Sequence, residues 1–312
     1  MSLERALGLA NEAAGVAYPN PTVGAVVVAA GTVVGEGVTE AYGGRHAEIV
    51  ALAAAAGRAR GATLYVTMEP CAHHGSTPPC TDAVIEAGIS RAVVGCLDPN
   101  PEAAGGLERL RQAGIEVEIE DSFEARRQNE AWRTWKALAR PLVTYKVAMT
   151  LDGRVTVPGA RWVTGEASRR LVHELRAASD AVAVGMGTVR ADAPRLDARD
   201  VPVVRQPRRL VFGSGPLPAG SGLELREGPL LDELAALAAE GVQSLLLEGG
   251  PMLATAFLEA GLVDKLLLFV APTLSGEGPC FLGEISGSMQ LFRFSTRPVG
   301  EDVLLEAYLR EP

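Results

Sequence analysis

Apolar residues recur along this chain in two spacings that take turns from end to end: a helical period near 3.6, and short apolar or alternating runs typical of strands. In the first half the pattern predicts a helix over 3–14, then strands over 23–29 and 32–38 joined by a turn at Gly31. A helix from His46 to about Arg58 follows, ended near Gly61, and then a strand over 63–67. Residues 80–87 read as a helix stopped by Gly88, and 92–96 as a strand. The loop Asp98-Pro-Asn-Pro101 leads to a helix over 107–113 capped by Gly114, a strand over 115–119, and one long tryptophan-bearing helix over 123–139. Such a series makes one sheet covered by helices.

Arg140-Pro141 interrupts the pattern, since helices tend to stop before a proline. A second alternating series begins at Leu142, with strands over 142–149, 181–185, 209–212, 244–247 and 265–270 and helices over 167–178, 231–239 and 252–259. The Pro/Gly-rich stretch 213–222 is a loop inside this series, and there is no internal repeat. Two domains are expected, 1–141 and 142–312, both of α/β type.

Composition adds boundaries. Of 312 residues, 47% are hydrophobic, enough for two cores, and 21% are charged with no long like-charge block, which argues against disorder. The net charge of −9 opposes binding of a polyanion, so no nucleic-acid partner is expected, although one phosphate could still find a local basic pocket. Residues 1–14 read as an amphipathic helix rather than a signal peptide. The uncharged stretch 13–35 is broken by Pro19, Asn20, Pro21 and glycines, so it is a strand-turn-strand rather than a membrane span. Four cysteines in so long a chain suit metal or catalysis better than a secreted disulfide framework, and a cytoplasmic enzyme is expected. Arginines far outnumber the three lysines, Lys136, Lys146 and Lys265.

The chemistry concentrates in His46-Ala-Glu48 and in Glu69-Pro-Cys71, followed after eight residues by Cys80. Zinc takes imidazole and thiolate readily, and three protein ligands (His46, Cys71, Cys80) leave a fourth position for water, whose pKa then falls to about 7 and yields zinc hydroxide. Glu48, two residues after a ligand and near a helix start, is placed to take the proton and hand it to a leaving amine. Base deaminases carry H-x-E with a later P-C-x-x-C; here the second cysteine is displaced by the insert 72–79. A His-x-Glu alone is ordinary surface chemistry, and Cys96 and Cys280, in apolar surroundings, read as inert core thiols. A fourth ligand from His73 or His74 would close the site and make it structural.

With these residues the chain resembles the family of bifunctional riboflavin-biosynthesis proteins, a pyrimidine deaminase fused to a reductase. The likeness rests on Pro19-Asn-Pro-Thr-Val-Gly24, on His46-Ala-Glu48, and on the insert Glu69-Pro-Cys-Ala-His-His-Gly-Ser-Thr-Pro-Pro-Cys80. It implies an N-terminal cytidine-deaminase-like three-layer domain followed by a dihydrofolate-reductase-like α/β domain. It also implies hydrolytic deamination of 2,5-diamino-6-ribosylamino-4(3H)-pyrimidinone 5′-phosphate, then reduction of the ribosyl group to ribityl with NADPH. Asn20 and His73 would contact substrate, as would the loop Asp98–Asn100. Relatives often carry a basic residue where this chain has Ser76, so the phosphate would be gripped differently here; the stretch after Pro101 is also shorter than usual.

In the second half the residues alone point only to glycine corners after strands, Val184-Gly-Met-Gly-Thr188 and Glu248-Gly-Gly-Pro251, where amides at a helix start can meet a phosphate. Neither is a complete dinucleotide fingerprint. The resemblance extends through Lys146–Gly153, Arg161–Gly165, His173–Arg176, Asp180–Val189 and Asp192–Leu196, with Thr150 where relatives often show serine. It implies that Trp162, Thr164, Thr188, Asp192, Ser214, Gly250, Pro251, Met252 and Leu253 line the cofactor. Arg176, Leu196, Arg199 and Glu248 would meet the substrate, with the arginines suited to its phosphate. Lys146, Asp192 and Glu248 are the candidates for proton handling. Simpler readings stand beside these: Lys146 snorkelling at a strand edge, Asp192 as a turn residue, Arg176 paired with Glu174.

The expectation is therefore a zinc deaminase joined to an NADPH reductase, acting on a small phosphorylated pyrimidine and not on nucleic acid or membrane. A homo-oligomer is expected, although Trp132 and Trp135 fit a core as readily as an interface. The rivals are a nucleoside or tRNA-base deaminase with an accessory domain, and a non-catalytic protein pairing a structural zinc site with a nucleotide sensor.

Overall fold

The first unit, which reaches Leu138, begins with helix α1 (Ser2–Glu12) and strands β1 (Gly24–Ala29) and β2 (Thr32–Val38). Helix α2 (Ala47–Ala55), strand β3 (Thr63–Val66), helix α3 (Cys80–Glu86) and strand β4 (Arg91–Val94) follow. Helix α4 (Gly106–Gln112), strand β5 (Glu116–Ile119) and helices α5 (Phe123–Gln128) and α6 (Glu130–Leu138) complete it. The computed structural model describes residues 2–73, 78–103 and 105–312.

Ala30 and Gly31 both take positive φ, the backbone of a tight hairpin turn, so β1 and β2 pair antiparallel. β1 also pairs antiparallel with β3, while β3, β4 and β5 run parallel, linked by the crossover helices α3 and α4. The order is β2-β1-β3-β4-β5. On one face Ala47, Ala51 and Ala55 of α2, Val84 of α3 and Leu110 of α4 pack on Val27, Leu64 and Val94. On the other, Leu3 and Ala6 of α1 cover Val26. The unit is thus three layers, helices on both faces of one sheet.

Helix α2 sits unusually close to the sheet for a local reason. Its alanines recur every four residues, forming one flat row, and the strand beneath offers Gly35 and Gly37. A β-carbon at Gly37 would lie 2.5 Å from the Ala51 amide nitrogen, and one at Gly35 would run into the Ala51 carbonyl.

The long helix expected over 123–139 is instead two helices broken at Asn129. The Asn129 side chain accepts from the Thr22 amide and donates to the Thr22 carbonyl, both at 2.9 Å, which fixes its backbone out of helical register.

The second unit, Ala139–Glu311, contains β6 (Leu142–Thr150), α7 (Glu166–Ala178), β7 (Ala181–Gly185), α8 (Met186–Asp192), β8 (Arg208–Phe212) and β9 (Glu224–Arg226). It continues with α9 (Leu230–Ala239), β10 (Ser244–Leu247), α10 (Pro251–Glu259), β11 (Lys265–Ala271), β12 (Phe292–Val299) and β13 (Asp302–Tyr308). The sheet order is β12-β13-β11-β6-β10-β7-β8-β9. Strands β11 to β9 are parallel, and the hairpin β12–β13 is added antiparallel at one side. Leu234, Leu237, Ala254 and Phe257 of α9 and α10 cover one face; Val172 of α7 and Met186 and Val189 of α8 pack on the other.

The apolar pattern did not predict β12, because every residue in it except Val299 is exposed. Lys146 does not lie at a strand edge, since β6 is an interior strand between β11 and β10. Near the start of the unit, Arg140 (4% exposed) forks onto Asp264 (2% exposed) with bonds of 2.7 and 2.8 Å, and the Val143 amide and Arg310 meet the same carboxylate. Cys96 is buried as expected, but Cys280 is exposed beside Arg154 rather than in a core. Among the described residues no helix is long and apolar enough to cross a membrane.

Candidate active sites

In the first unit the elements bring three ligand types to one point. His46 is the residue before α2, with extended backbone (φ −74, ψ 158), and its side chain faces the loop before α3. Its Nδ1 lies 3.2 Å from Cys80 Sγ and 3.7 Å from Cys71 Sγ. The donor atoms of His46, Cys71 and Cys80 all fall within 4.8 Å of one another. Tetrahedral zinc, with Zn–S about 2.3 Å and Zn–N about 2.0 Å, needs neighbouring donors roughly 3.5 Å apart, so the set fits that ion with one corner open. His73 is not in the cluster, and His74, like Ser76, lies outside the described residues.

The local electrostatics suit a cation. Cys71 accepts the Cys80 backbone amide at 3.4 Å, and hydrogen bonds from Cys80 and His46 outweigh burial and bring its thiol down to about 4. Cys80, completely buried, is pushed up by the neighbouring Cys71 and by its own burial. His46 is raised by its bond to Cys71. A thiolate at Cys71 beside an imidazole and a second thiol is a donor set suited to a soft divalent cation. Glu48, on the first turn of α2 and only 4% exposed, is pushed up to about 7 by burial. A carboxyl held near neutrality can both take and return a proton.

These groups open into a cavity of about 310 Å³ lined also by Asn20, Thr39, Tyr42, Glu69, His73, Asp98, Asn100, Trp132, Trp135 and Lys136. The Asn20 loop is tied down from three sides: Asn129 holds Thr22, Thr39 Oγ1 accepts the Val23 amide, and Thr67 Oγ1 accepts the Gly24 amide. Glu69 accepts the amides of Leu107 and Asp98, joining the floor of the cavity to α4. Burial pushes Asp98 up to about 6. His73 Nδ1 is buried with no hydrogen-bond partner, a polar atom available to a ligand. Trp132 belongs to the core with Met68 and Cys96. Sequence reasoning missed Tyr42 and Lys136 as cavity residues; the one available hint was the rarity of lysine in an arginine-rich chain.

The second unit holds a cavity of about 1650 Å³ at the carboxyl ends of β7 and β10, the usual ligand position in an open parallel sheet. Gly185 and Gly250 are the residues before α8 and α10, so both glycine corners open into it. At its centre Arg176 forks onto Glu248 with bonds of 2.6 and 2.9 Å, and Lys146 Nζ lies 3.6 Å from the same carboxylate. Burial drives Lys146 down. For Glu248 burial acts upward, but the Lys146 and Arg176 charges win and hold it below the usual carboxylate range.

Arg176 therefore pairs with Glu248, whereas Arg170 takes Glu174. Its third contact is the Asp197 carbonyl, and Arg199 binds the Asp197 carboxylate at 2.7 Å. Trp162, Thr164, Thr188, Asp192, Leu196, Arg199 and Gly250–Leu253 all line this cavity, although Leu196 is also core and Met252 is 84% exposed. Ser214 does not line it; it lies on the exposed surface, where its carbonyl accepts from Arg190. Trp162 is half-exposed between the guanidinium groups of Arg161 and Arg169, 5.1 and 5.4 Å from its ring centre.

Comparison with known proteins agrees with this division. Residues 2–96 match the cytidine and deoxycytidylate deaminase zinc-binding region, and residues 141–219 and 226–305 match the RibD C-terminal domain. The riboflavin biosynthesis protein RibD of Aquifex aeolicus is 41% identical, over 97% of this chain and 96% of that one. The structure of Acinetobacter baumannii RibD superposes with a TM-score of 0.83 at 35% identity, covering 98% of this chain and 97% of that one. A diaminohydroxyphosphoribosylaminopyrimidine deaminase/5-amino-6-(5-phosphoribosylamino)uracil reductase from Thermotoga maritima gives 0.82 at 33% identity, with coverage of 98% and 97%. A zinc-ready cluster, a separate reductase-type cavity and this full-length likeness lead to one conclusion: the chain belongs to the family of the riboflavin biosynthesis protein RibD, bifunctional deaminase and reductase enzymes.

Proposed function

We infer that this chain deaminates 2,5-diamino-6-ribosylamino-4(3H)-pyrimidinone 5′-phosphate in its first domain (1–141) and reduces the product's ribosyl group to ribityl with NADPH in its second (142–312). The observation that carries the reading is the meeting of His46, Cys71 and Cys80 with a buried Glu48 beside one cavity. A structural zinc site has no use for a buried carboxylate beside its open corner.

In the deaminase half, His46, Cys71 and Cys80 would hold zinc, which when bound would supply a Lewis acid for the activation of water. Glu48 takes the proton of the attacking water and delivers it to the ring amino nitrogen, which leaves as ammonia. Asn20, His73 and Asn100 orient the ring, and the cavity walls exclude bulk solvent.

In the reductase half NADPH supplies the hydride. Trp162, Thr164, Thr188 and the Gly250–Leu253 corner line the cavity that would hold the cofactor, and the Gly250, Met252 and Leu253 amides at the start of α10 could receive an anionic group. Lys146, polarised between Glu248 and Arg176, is the proton donor to the sugar-bearing nitrogen or oxygen as the imine is reduced; Asp192 stands at the cavity mouth as an alternative. Asp197 steers Arg199 toward the substrate. The ligand is a small molecule and not nucleic acid, in keeping with a net charge of −9, and the enzyme acts in the cytoplasm as a homo-oligomer.

The test is a coupled assay on zinc-replete protein: ammonia release without NADPH, then NADPH oxidation after its addition, in the native chain and in Glu48→Gln. Native protein should release ammonia first and oxidise NADPH only afterwards. The variant should keep its zinc and lose both signals from this starting material. Undiminished ammonia release by a zinc-loaded Glu48→Gln protein would sink the mechanism.

A further inference from the structure

Among the described side chains lining the deaminase cavity there is one lysine, Lys136. No arginine among them reaches this cavity. The chain has three lysines, and two of them are committed: Lys146 to Glu248 at 3.6 Å and Lys265 to Glu306 at 3.3 Å. Lys136 has no carboxylate partner among the described residues. Its ammonium instead rests 4.4 Å from the ring centre of Trp135. Stacked there, the side chain is restrained but keeps its hydrogens for another acceptor, so less freedom is lost when a ligand arrives.

Helix α6 presents Trp132, Trp135 and Lys136 at a spacing of three and four residues, one face of one turn, and all three line the cavity. The rest of the described wall carries carboxyl groups, Glu48, Glu69 and Asp98, and no second lysine or arginine. The substrate is a flat polar ring at one end and a dianion at the other. With its ring at the metal cluster, such a substrate would find the described cationic partner for its anionic end on α6.

Resting on the deaminase reading above, we propose that Lys136 is the specificity-determining contact for the 5′-phosphate of the pyrimidine substrate, with Trp135 the platform that positions it. An ammonium–phosphate hydrogen bond is charge-assisted and tolerant of direction, which suits a single lysine at a cavity wall. The assignment answers how a phosphate is held by a cavity whose described lining is otherwise acidic or neutral.

The experiment uses the full-length, zinc-replete chain with Lys136→Ala and Lys136→Arg. Ammonia release is measured from the phosphorylated substrate and from its phosphate-free counterpart, and binding of the two deaminated products is measured by calorimetry. In Lys136→Ala the preference for the phosphorylated compound in kcat/KM should fall about 10- to 100-fold, chiefly through KM, with a matching loss in Kd. Lys136→Arg should recover most of it. An unchanged preference, or an equal loss on both compounds, overturns the assignment. Failure of the native chain to release ammonia from either compound overturns the deaminase reading itself, so the two failures are distinct.

Discussion

Replacing Gly37 by alanine puts one methyl group between the sheet and the helix that carries the metal ligand and the proton carrier. Gly37 is on β2 with ordinary backbone angles, so alanine costs nothing in conformation; what it lacks is room. The new β-carbon would lie 2.5 Å from the Ala51 amide nitrogen, against an ordinary contact of at least 3.4 Å. The Ala47 carbonyl and the Val50 β-carbon are approached as well, and the two nearest of these three obstacles are helix backbone, so α2 must lift by about 1 Å. Overpacking of this kind costs about 1–3 kcal/mol. Displacing His46 and Glu48 by about 1 Å from Cys71 and Cys80 should lower deamination on the order of 100-fold, and zinc affinity about 10-fold or more. The assay is ammonia release against zinc concentration, with NADPH oxidation of pre-deaminated substrate as the internal reference for the other half. Gly8→Ala is the control: it lies in α1 with nothing within 4 Å, so it should be neutral or stabilise by up to about 1 kcal/mol. Deamination within about threefold of native, with zinc affinity unchanged, would refute the argument that close approach of α2 to β2 sets the metal geometry.

Three further outcomes are expected. Asn129→Ala strands the buried Thr22 amide and carbonyl; at about 1–3 kcal/mol for each unpaired group, denaturant unfolding should show a loss of about 2 kcal/mol or more, and KM for deamination should rise because Asn20 is two residues away. Glu248→Gln leaves Lys146 and Arg176 buried without their counter-charge; NADPH oxidation should be lost and the second unit destabilised by about 3–5 kcal/mol, while retained NADPH oxidation would discard the proton relay. Asp98 has a folded pKa of about 6 from burial, above the unfolded value of about 3.9. The folded protein thus binds that proton more tightly, and the stability it contributes is present below about pH 4 and lost as pH rises through 6. Asp98→Asn should therefore be more stable than native at pH 8, by about 1–2 kcal/mol after allowance for partial exposure; a gap that does not close near pH 4 would count against this.

The deaminase centre was legible because its parts are local. His46 and Glu48 are two residues apart at a helix start, and the two cysteines flank one loop, so residue type and spacing nearly define the chemistry. The residues of the reductase centre were named only through the family resemblance, because local spacing does not report contacts made on folding: Arg176 and Glu248 are 72 positions apart. The apolar pattern gave the central strands of both sheets and missed α8, the edge strand β9 and the hairpin β12–β13, of which β12 is exposed except at Val299. The break at Asn129 was invisible for a similar reason: the residue's partner is Thr22, and no local rule reports a side chain that leaves its helix to hold a distant loop. The role of Gly35 and Gly37 within the strand over 32–38 depends on the alanine row packed above them, which the strand pattern does not report.

The clamp at Arg140 has a practical meaning for anyone who wishes to divide this polypeptide. The proline at 141 invites a cut just before it, and the second family match begins there. A fragment starting at Pro141 would nevertheless lose the guanidinium that makes two bonds to Asp264, leaving that 2% exposed carboxylate to Arg310 and the Val143 amide. Removing one partner from a buried pair costs about 3–5 kcal/mol, a large part of what holds an ordinary domain together. A separately expressed reductase should therefore start at or before Ala139, so that two residues which look like linker travel with it.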